Sequence, residues 1–384
     1  MQYNVIDSDG HVLEPADLWE RYMDAKYRDT CPKLLETDDG SEVLRLEGDR
    51  IVDWRKTGPE QKEGSKVRMG AAGAFGTREK TKEEVEGLGQ LSYSEGQKGG
   101  FDPHYRIKDM DKEGIDAAFL YPTLGLFLGA ERDYNFAANA SRAYNLWLKD
   151  YCAPYPDRLF GVASVPMQSV EIAIKELRFA VEKLGFRAAF VRPSPYQGRP
   201  IHHPDFYPLW DVAQGLNIPI GIHGGGLYAE AQIGADRFKE GKAMRHVAVH
   251  SFEMMAATTS IIMGGIAERF PRLRFGFLEA SGGWIAGWLD RMDRHVDDPG
   301  MNDTELTSMP SEIFARQCFI SFEPVEKTIG LLGDHIGSDH ILWGTDYPHS
   351  DGFPNAPKLI KNLGLTPKLE ANVLGGGARR FYGL

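Results

Sequence analysis

Val5-Ile6-Asp7-Ser8-Asp9-Gly10-His11-Val12-Leu13-Glu14-Pro15 poses the question that decides the fold, because an apolar run passes into two acids and an imidazole. Asp-Gly is an ordinary turn signal, so the stretch alone reads as a strand that stops. Other strands that end in the same way change that reading. Short apolar stretches rich in β-branched and aromatic residues occur at 3–7, 117–121, 159–165, 188–192, 218–223, 273–279, 318–322 and 341–346. Segments between them have helical period: 170–184 places Ile172, Leu177, Val181 and Leu184 on one side, with Glu171, Lys175, Glu176 and Glu182 elsewhere. Strand, helix, strand repeated along the chain predicts a parallel sheet. Eight such strands favour a closed (β/α)₈ TIM-type barrel over an open doubly wound sheet.

In such a barrel the active groups belong at the C-terminal ends of the strands. Strand one ends in Asp7, Asp9 and His11, strand four in Arg192, strand five in His223, strand six in Glu279 and strand eight in Asp346, with His349 just beyond. His246 and His250 fall between strands five and six. Neutral imidazole and carboxylate oxygen suit Zn, Mn or Fe, and a catalytic metal site takes three to five such groups. Asp9 and His11 are two apart, so within a strand they face the same side. The opening run therefore ends in Asp-x-His because two ligands are needed at one depth.

The rest of the composition bounds the alternatives. The chain has 384 residues, 42% hydrophobic and 26% charged, which are globular values and enough for one elaborated domain. No apolar run approaches a membrane span, and the early acids leave no signal region, so a cytoplasmic protein is expected. A net charge of −11 disfavours nucleic acid or an anionic membrane as partner. Three scattered cysteines, Cys31, Cys152 and Cys318, are expected to be reduced and ordinary. The segment 34–100 is polar and Gly-rich and delays the second strand; it is expected to be an insertion within the single domain, a lid or an oligomer contact. Its run Arg78-Glu79-Lys80-Thr81-Lys82-Glu83-Glu84 reads as a solvated face. Aromatic segments around Trp284 and Trp288 leave room for a homo- or hetero-oligomer interface.

Other chemistries fail on inspection. His223-Gly224-Gly225-Gly226 looks like an esterase oxyanion loop, but no Gly-x-Ser-x-Gly elbow accompanies it. The glycine runs lack a Walker lysine and dinucleotide spacing, and there is no His-Glu-x-x-His.

Five motifs together carry a family resemblance: Ile6-Asp7-Ser8-Asp9-Gly10-His11, Arg158-Leu159-Phe160-Gly161-Val162-Ala163, Ile218-Pro219-Ile220-Gly221-Ile222-His223, Gly264-Gly265-Ile266-Ala267-Glu268-Arg269-Phe270-Pro271 and Gly344-Thr345-Asp346-Tyr347-Pro348-His349. In these the chain resembles the amidohydrolase superfamily, in its amidohydrolase-related (family 2) branch, which includes aromatic-acid and semialdehyde decarboxylases. The resemblance implies a divalent metal, one or two per chain, held by Asp9, His11, His223 and Asp346, with Asp346 also handling protons. Where many relatives have Ala-His-Gly-Gly on strand six, this chain has Leu278-Glu279-Ala280-Ser281-Gly282-Gly283. Glu279 or His250 could replace the missing histidine, His250 serving as ligand or catalytic group, and His349 offers a further imidazole beside Asp346. Strand four ends in Phe190-Val191-Arg192-Pro193 where relatives with two metals often have a carbamylated lysine. Arginine stays protonated and offers donors only, so a carboxylate would have to bridge two ions.

Plainer readings remain for each residue. Asp9 could make an Asx turn, Glu279 could pair with Arg192, and His202, His203, His246, His335 and His340 read as surface or loop residues. Arg192 could form a structural salt bridge or clamp a substrate carboxylate. The leading expectation is a metal-dependent hydrolase or non-oxidative decarboxylase acting on a small organic acid or amide. The alternatives are a dinuclear Fe or Mn oxygenase and a catalytically silent subunit supporting an active paralogue.

Overall fold

Each of the eight apolar stretches forms a strand in the computed structural model, which describes residues 3–53, 66–224, 232–238 and 242–384. The barrel strands are β1 (Ile6–His11), β5 (Ala117–Tyr121), β6 (Leu159–Ser164), β7 (Ala188–Val191), β8 (Ile220–His223), β9 (Phe275–Leu278), β10 (Cys318–Phe322) and β11 (Ile341–Trp343). They run in that order as one parallel eight-stranded sheet. All eight are buried along their whole length. Helices outside and side chains inside cover both faces, which is why the strands read as near-continuous apolar runs and not as alternating ones.

β1 departs from expectation, running through Asp7, Ser8 and Asp9 to His11 instead of stopping at 7. Its register with β5 shifts between Asp7 and Gly10. Polarity does not end this strand because its polar side chains find buried partners. The sheet closes through the chain that follows β11: Asp346 N–H donates to Asp9 C=O at 3.0 Å, and His11 N–H to Tyr347 C=O at 2.6 Å. Gly344 lies so close to β1 that a Cβ there would stand 2.5 Å from that of Asp9, so this seam admits only glycine.

The barrel interior is filled by Phe119, Phe160, Phe190 and Phe319, and Phe381 and Tyr382 of the helix Gly377–Tyr382 extend the same cluster. Tyr382 O–H donates to the Ser8 carbonyl at 2.7 Å, inside the irregular part of β1. Trp284 and Trp288, considered above for an interface, are half-buried, and their indole N–H groups bond Ala280 and Ser281 carbonyls and Thr259 Oγ1 within the chain. The three cysteines are free and buried. Among the described residues no helix is long and apolar enough to cross a membrane.

The insertion is more ordered than its composition suggests. β2 (Lys33–Glu36), β3 (Glu42–Arg45) and β4 (Ile51–Val52) make a small antiparallel sheet, followed by the helical turns Met69–Gly73, Lys82–Leu88 and Tyr93–Glu95. Residues 54–65 lie outside the described residues. The charged run is an exposed face, as expected, and Thr81 and Glu84 close a capping box on it. Glu42 ties sheet to turns by accepting from Met69 N–H at 2.7 Å and Tyr93 N–H at 3.1 Å. The segment then seats over the ends of β1 and the chain after β11: Leu13 N–H donates to Gly100 C=O, Thr77 N–H to Ser350 C=O, and the rings of Phe75 and Tyr347 meet at 4.8 Å.

A buried carboxylate joins the insertion to the barrel on the other side. Glu131 accepts from Glu47 N–H at 3.1 Å, and Arg50 stands 3.9 Å away. Burial and the neighbouring Glu47 push the Glu131 carboxyl up to about 8, against the pull of Arg50. The folded state thus holds this proton more tightly than the unfolded chain does. Its contribution to stability is complete below about pH 4.5 and is lost as pH rises through 8. Glu131→Gln should therefore gain stability relative to the parent as pH rises from 5 to 9, on the order of 4 kcal/mol by the upper end. Urea unfolding at a series of pH values measures the difference; a constant offset would mean that Glu131 does not titrate as described.

Candidate metal centre

Asp9 and His11 leave β1 toward the barrel mouth and meet His223 from the end of β8. His223 Nε2 lies 3.3 Å from Asp9 Oδ1, which is 3.7 Å from His11 Nε2. The chain after β11 brings Asp346 in, its Oδ1 3.3 Å from His11 Nε2. From the end of β9, Glu279 Oε2 stands 3.2 Å from His223 Nε2. Asp9, His11 and His223 are fully enclosed.

The orientation of each imidazole is set by its other nitrogen. His11 Nδ1 lies 2.8 Å from the Pro122 carbonyl, and His223 Nδ1 contacts the Gly224 carbonyl. A carbonyl can only accept, so each Nδ1 carries the hydrogen; burial keeps His11 neutral with its Nε2 lone pair toward the cavity, whereas against burial Asp9 and Glu279 raise His223 to about 9, and a cation would take the place of its Nε2 proton. His11 Nε2, His223 Nε2 and Asp9 Oδ1 are buried with no hydrogen-bond partner. Leaving such atoms unsatisfied costs about 1–3 kcal/mol each. Two imidazole nitrogens and a carboxylate oxygen converging on one spot fit a divalent cation, whose charge would replace the proton that Asp9 and Glu279 hold on His223.

The proton chemistry is arranged next to this group. His349 Nδ1 is 2.7 Å from Asp346 Oδ1, and its Nε2 is 2.8 Å from Thr123 Oγ1. Thr123 O–H donates to the Val12 carbonyl at 2.7 Å, so its oxygen accepts from His349 Nε2–H. His349 Nδ1 is then an acceptor in the neutral ring, and the proton between it and Asp346 is shared. Burial raises the Asp346 carboxyl well above its usual range, with Asp351 and Asp9 adding to the effect, and burial lowers His349. Without a cation both shifts draw that proton toward Asp346.

The remaining sequence candidates fall around this core. His250, on the helix Lys242–Ile262, points Nδ1 at the Glu279 carbonyl, 3.1 Å away. Arg192 follows β7 beside His223, since Val191 pairs with Ile222; it stacks on Tyr196 at 4.7 Å and packs against Gly129. Glu279 faces His223 and not Arg192. Gly225 and Gly226 of the glycine run lie outside the described residues.

One histidine is not the surface group that its context suggested: His340 is buried with Nδ1 2.7 Å from Cys318 C=O. His246 is partly exposed and lies on the same helix as His250, 3.2 Å from Asp351. Sequence reasoning also passed over Asp351, Thr123 and Arg106. The signal for His246 was present in its four-residue spacing from His250, which places both on one helical face; Arg106 and Thr123 carry none.

Comparison with known proteins places this geometry. The family model described as Amidohydrolase matches residues 6–384. The chain belongs to the amidohydrolase family. Among curated members it is 25% identical over 286 residues to 2-amino-3-carboxymuconate-6-semialdehyde decarboxylase of Dictyostelium discoideum, covering 74% of this chain and 77% of that one. Among solved structures, an amidohydrolase from Mycobacterium avium subsp. paratuberculosis superposes with a TM-score of 0.79 at 20% identity, over 100% of this chain and 99% of that one. A dihydroxybenzoic acid decarboxylase from Polaromonas sp., with bound manganese and the inhibitor 2-nitroresorcinol, gives a TM-score of 0.60 at 21% identity over 73% and 85%. These likenesses establish the barrel as the amidohydrolase fold.

Behind the mouth, Asp7 holds the two ends of the sheet together. Its carboxylate accepts from Thr345 Oγ1–H at 2.6 Å, Thr345 N–H at 2.9 Å and Asp9 N–H at 3.3 Å, with Arg106 at 3.6 Å. Burial raises its pKa, and Arg106 and Thr345 oppose the rise. Thr345→Val keeps the shape but removes the hydroxyl that donates to Asp7 and accepts from Tyr347 N–H, and should cost about 1–3 kcal/mol in denaturant unfolding; an unchanged midpoint would show that this hydroxyl contributes nothing.

Proposed function

We propose that this protein is a metal-dependent, non-oxidative decarboxylase of a small carboxylate-bearing substrate. The observation that carries the reading is the convergence of Asp9 Oδ1, His11 Nε2 and His223 Nε2, buried and without a hydrogen-bond partner, with Asp346 beside them. The relatives named as decarboxylases support this reaction over hydrolysis, and they lend no support to the oxygen-dependent alternative. A divalent cation such as manganese, held by Asp9, His11, His223 and Asp346, would polarise a substrate oxygen and withdraw charge as the carbon–carbon bond breaks.

The chain's own groups do the rest. Arg192, beside His223 at the barrel wall, is the anchor for the substrate carboxylate. Asp346 delivers its proton to the carbon that bears the carboxylate, and the carbon–carbon bond then breaks, releasing CO₂ and returning its electron pair to that carbon. His349, held by Thr123, relays the replacement proton to Asp346 from solvent. The insertion, seated over the ends of β1 and the chain after β11, shields this pair from bulk water.

A panel of small hydroxylated aromatic acids assayed for CO₂ release without oxygen tests the reading. Asp346→Asn preserves shape and tolerates the left-handed backbone found at this position (φ 53°), so its loss is chemical. It should lower kcat by at least about 100-fold. Full activity in this variant, or a panel with no turnover by the manganese-loaded protein, would overturn the assignment. Removing metal by chelation should also lower the melting temperature, and saturating manganese should restore about 2.7 kcal/mol at a hundredfold excess over Kd. Asp9→Ala with His11→Ala should abolish that response.

A further inference from the structure

The metal-ligating side chains do not end at His223. The helix Lys242–Ile262 carries His246 and His250 one turn apart, with their rings stacked at 4.5 Å. His250 has the same arrangement as His11 and His223: Nδ1 faces a backbone carbonyl, here that of Glu279, and Nε2 is buried without a hydrogen-bond partner. His246 meets Asp351 at 3.2 Å on the solvent side. Glu279 lies between the two groups. One of its oxygens is 3.2 Å from His223 Nε2, and ligand atoms of Glu279, His246 and His250 all fall within 4.8 Å of one another. Glu279, Asp346 and Asp351 meet the same criterion.

The surroundings favour a cation. A cavity of about 70 Å³ has five carboxylates in its lining, Asp9, Glu279, Glu323, Asp346 and Asp351, together with the His246 imidazole. Burial and His246 push His250 down to about 4, so its imidazole is neutral and able to ligate. Glu279 is also held at φ 49°, a left-handed backbone that side chains rarely adopt, and this conformation carries its carboxylate into the gap.

We propose that His246, His250 and Glu279, with Asp351 beside them, form a second divalent-cation site next to that of Asp9, His11 and His223, with the Glu279 carboxylate shared between the two. The ligand is a first-row divalent ion, for which two imidazoles and two carboxylates are a suitable set. The proposal deepens the functional reading, because sharing Glu279 presupposes the first ion. The helix and Asp351 contribute independently of it.

The test uses the full-length protein, stripped by chelation, reloaded with excess Mn²⁺ alone and desalted. Elemental analysis should give about two ions per chain, and low-temperature electron paramagnetic resonance should show an exchange-coupled pair, as carboxylate-bridged ions at two-metal spacing do. His246→Ala with His250→Ala should leave about one ion and abolish the coupling. Asp9→Ala with His11→Ala should remove the other ion. About one ion in the parent, or no loss in the helix variant, overturns the second site whatever becomes of the first. Loss only in the helix variant, with no effect of Asp9→Ala and His11→Ala, overturns the functional reading while the second site stands. If the helix variant fails to fold, the spectrum of the parent decides: isolated manganese alone overturns the proposal.

Discussion

A carboxylate with no access to water holds this barrel shut. Asp7 is buried at the seam where the first strand meets the chain following the last, and it can stay there because a hydroxyl, two backbone amides and a guanidinium surround it. Burying such a group costs several kcal/mol unless it is paired and bonded. The bonds that meet this cost also fix Thr345 against Asp9, and with them the separation between Asp9 and Asp346. The site inherits its geometry from this clamp, since Asp346 N–H bonds the carbonyl of the same Asp9 whose side chain faces His223.

The barrel was legible because parallel strands covered on both sides must be apolar throughout, and eight such stretches stand out at the spacing of crossovers. The positions of Asp9, His11, His223 and Asp346 were legible because strand ends have only one place to point. The extent of β1 was not, since whether Asp7 and Ser8 stop a strand depends on partners such as Thr345 and Tyr382, which are more than 300 residues away in sequence. The small sheet in the insertion escaped notice because its three strands are short and its glycines suggested a loop. His340 was misread for a related reason: a histidine in a polar stretch looks exposed until the Cys318 carbonyl, 22 residues away, is placed beside it.

Backbone conformation separates the groups that only support the site from those that enter it. Glu279, Ser281 and Asp346 all take left-handed angles within three residues of a strand end. Residues with side chains adopt such angles at a cost of about 1–3 kcal/mol, which the surrounding structure must offset. Here each lies just past the rim, where an ordinary extended residue would send its side chain along the wall. The bend turns Glu279 and Asp346 inward, while His349 and Thr123 need no such distortion because they reach the proton from outside.

The clamp also has a consequence in time. Asp7 and Thr345 are separated by 338 positions, so the contact that brings Asp9 to Asp346 closes a loop nearly as long as the chain. Closing it requires that the intervening strands already be in place, because the entropy of joining such distant segments is recovered only by contacts made together. A growing polypeptide therefore carries Asp9 and His11 long before it carries their partners. During that interval the pair cannot capture an ion in the geometry of the finished centre, and loading belongs among the last events in the life of the newly made molecule.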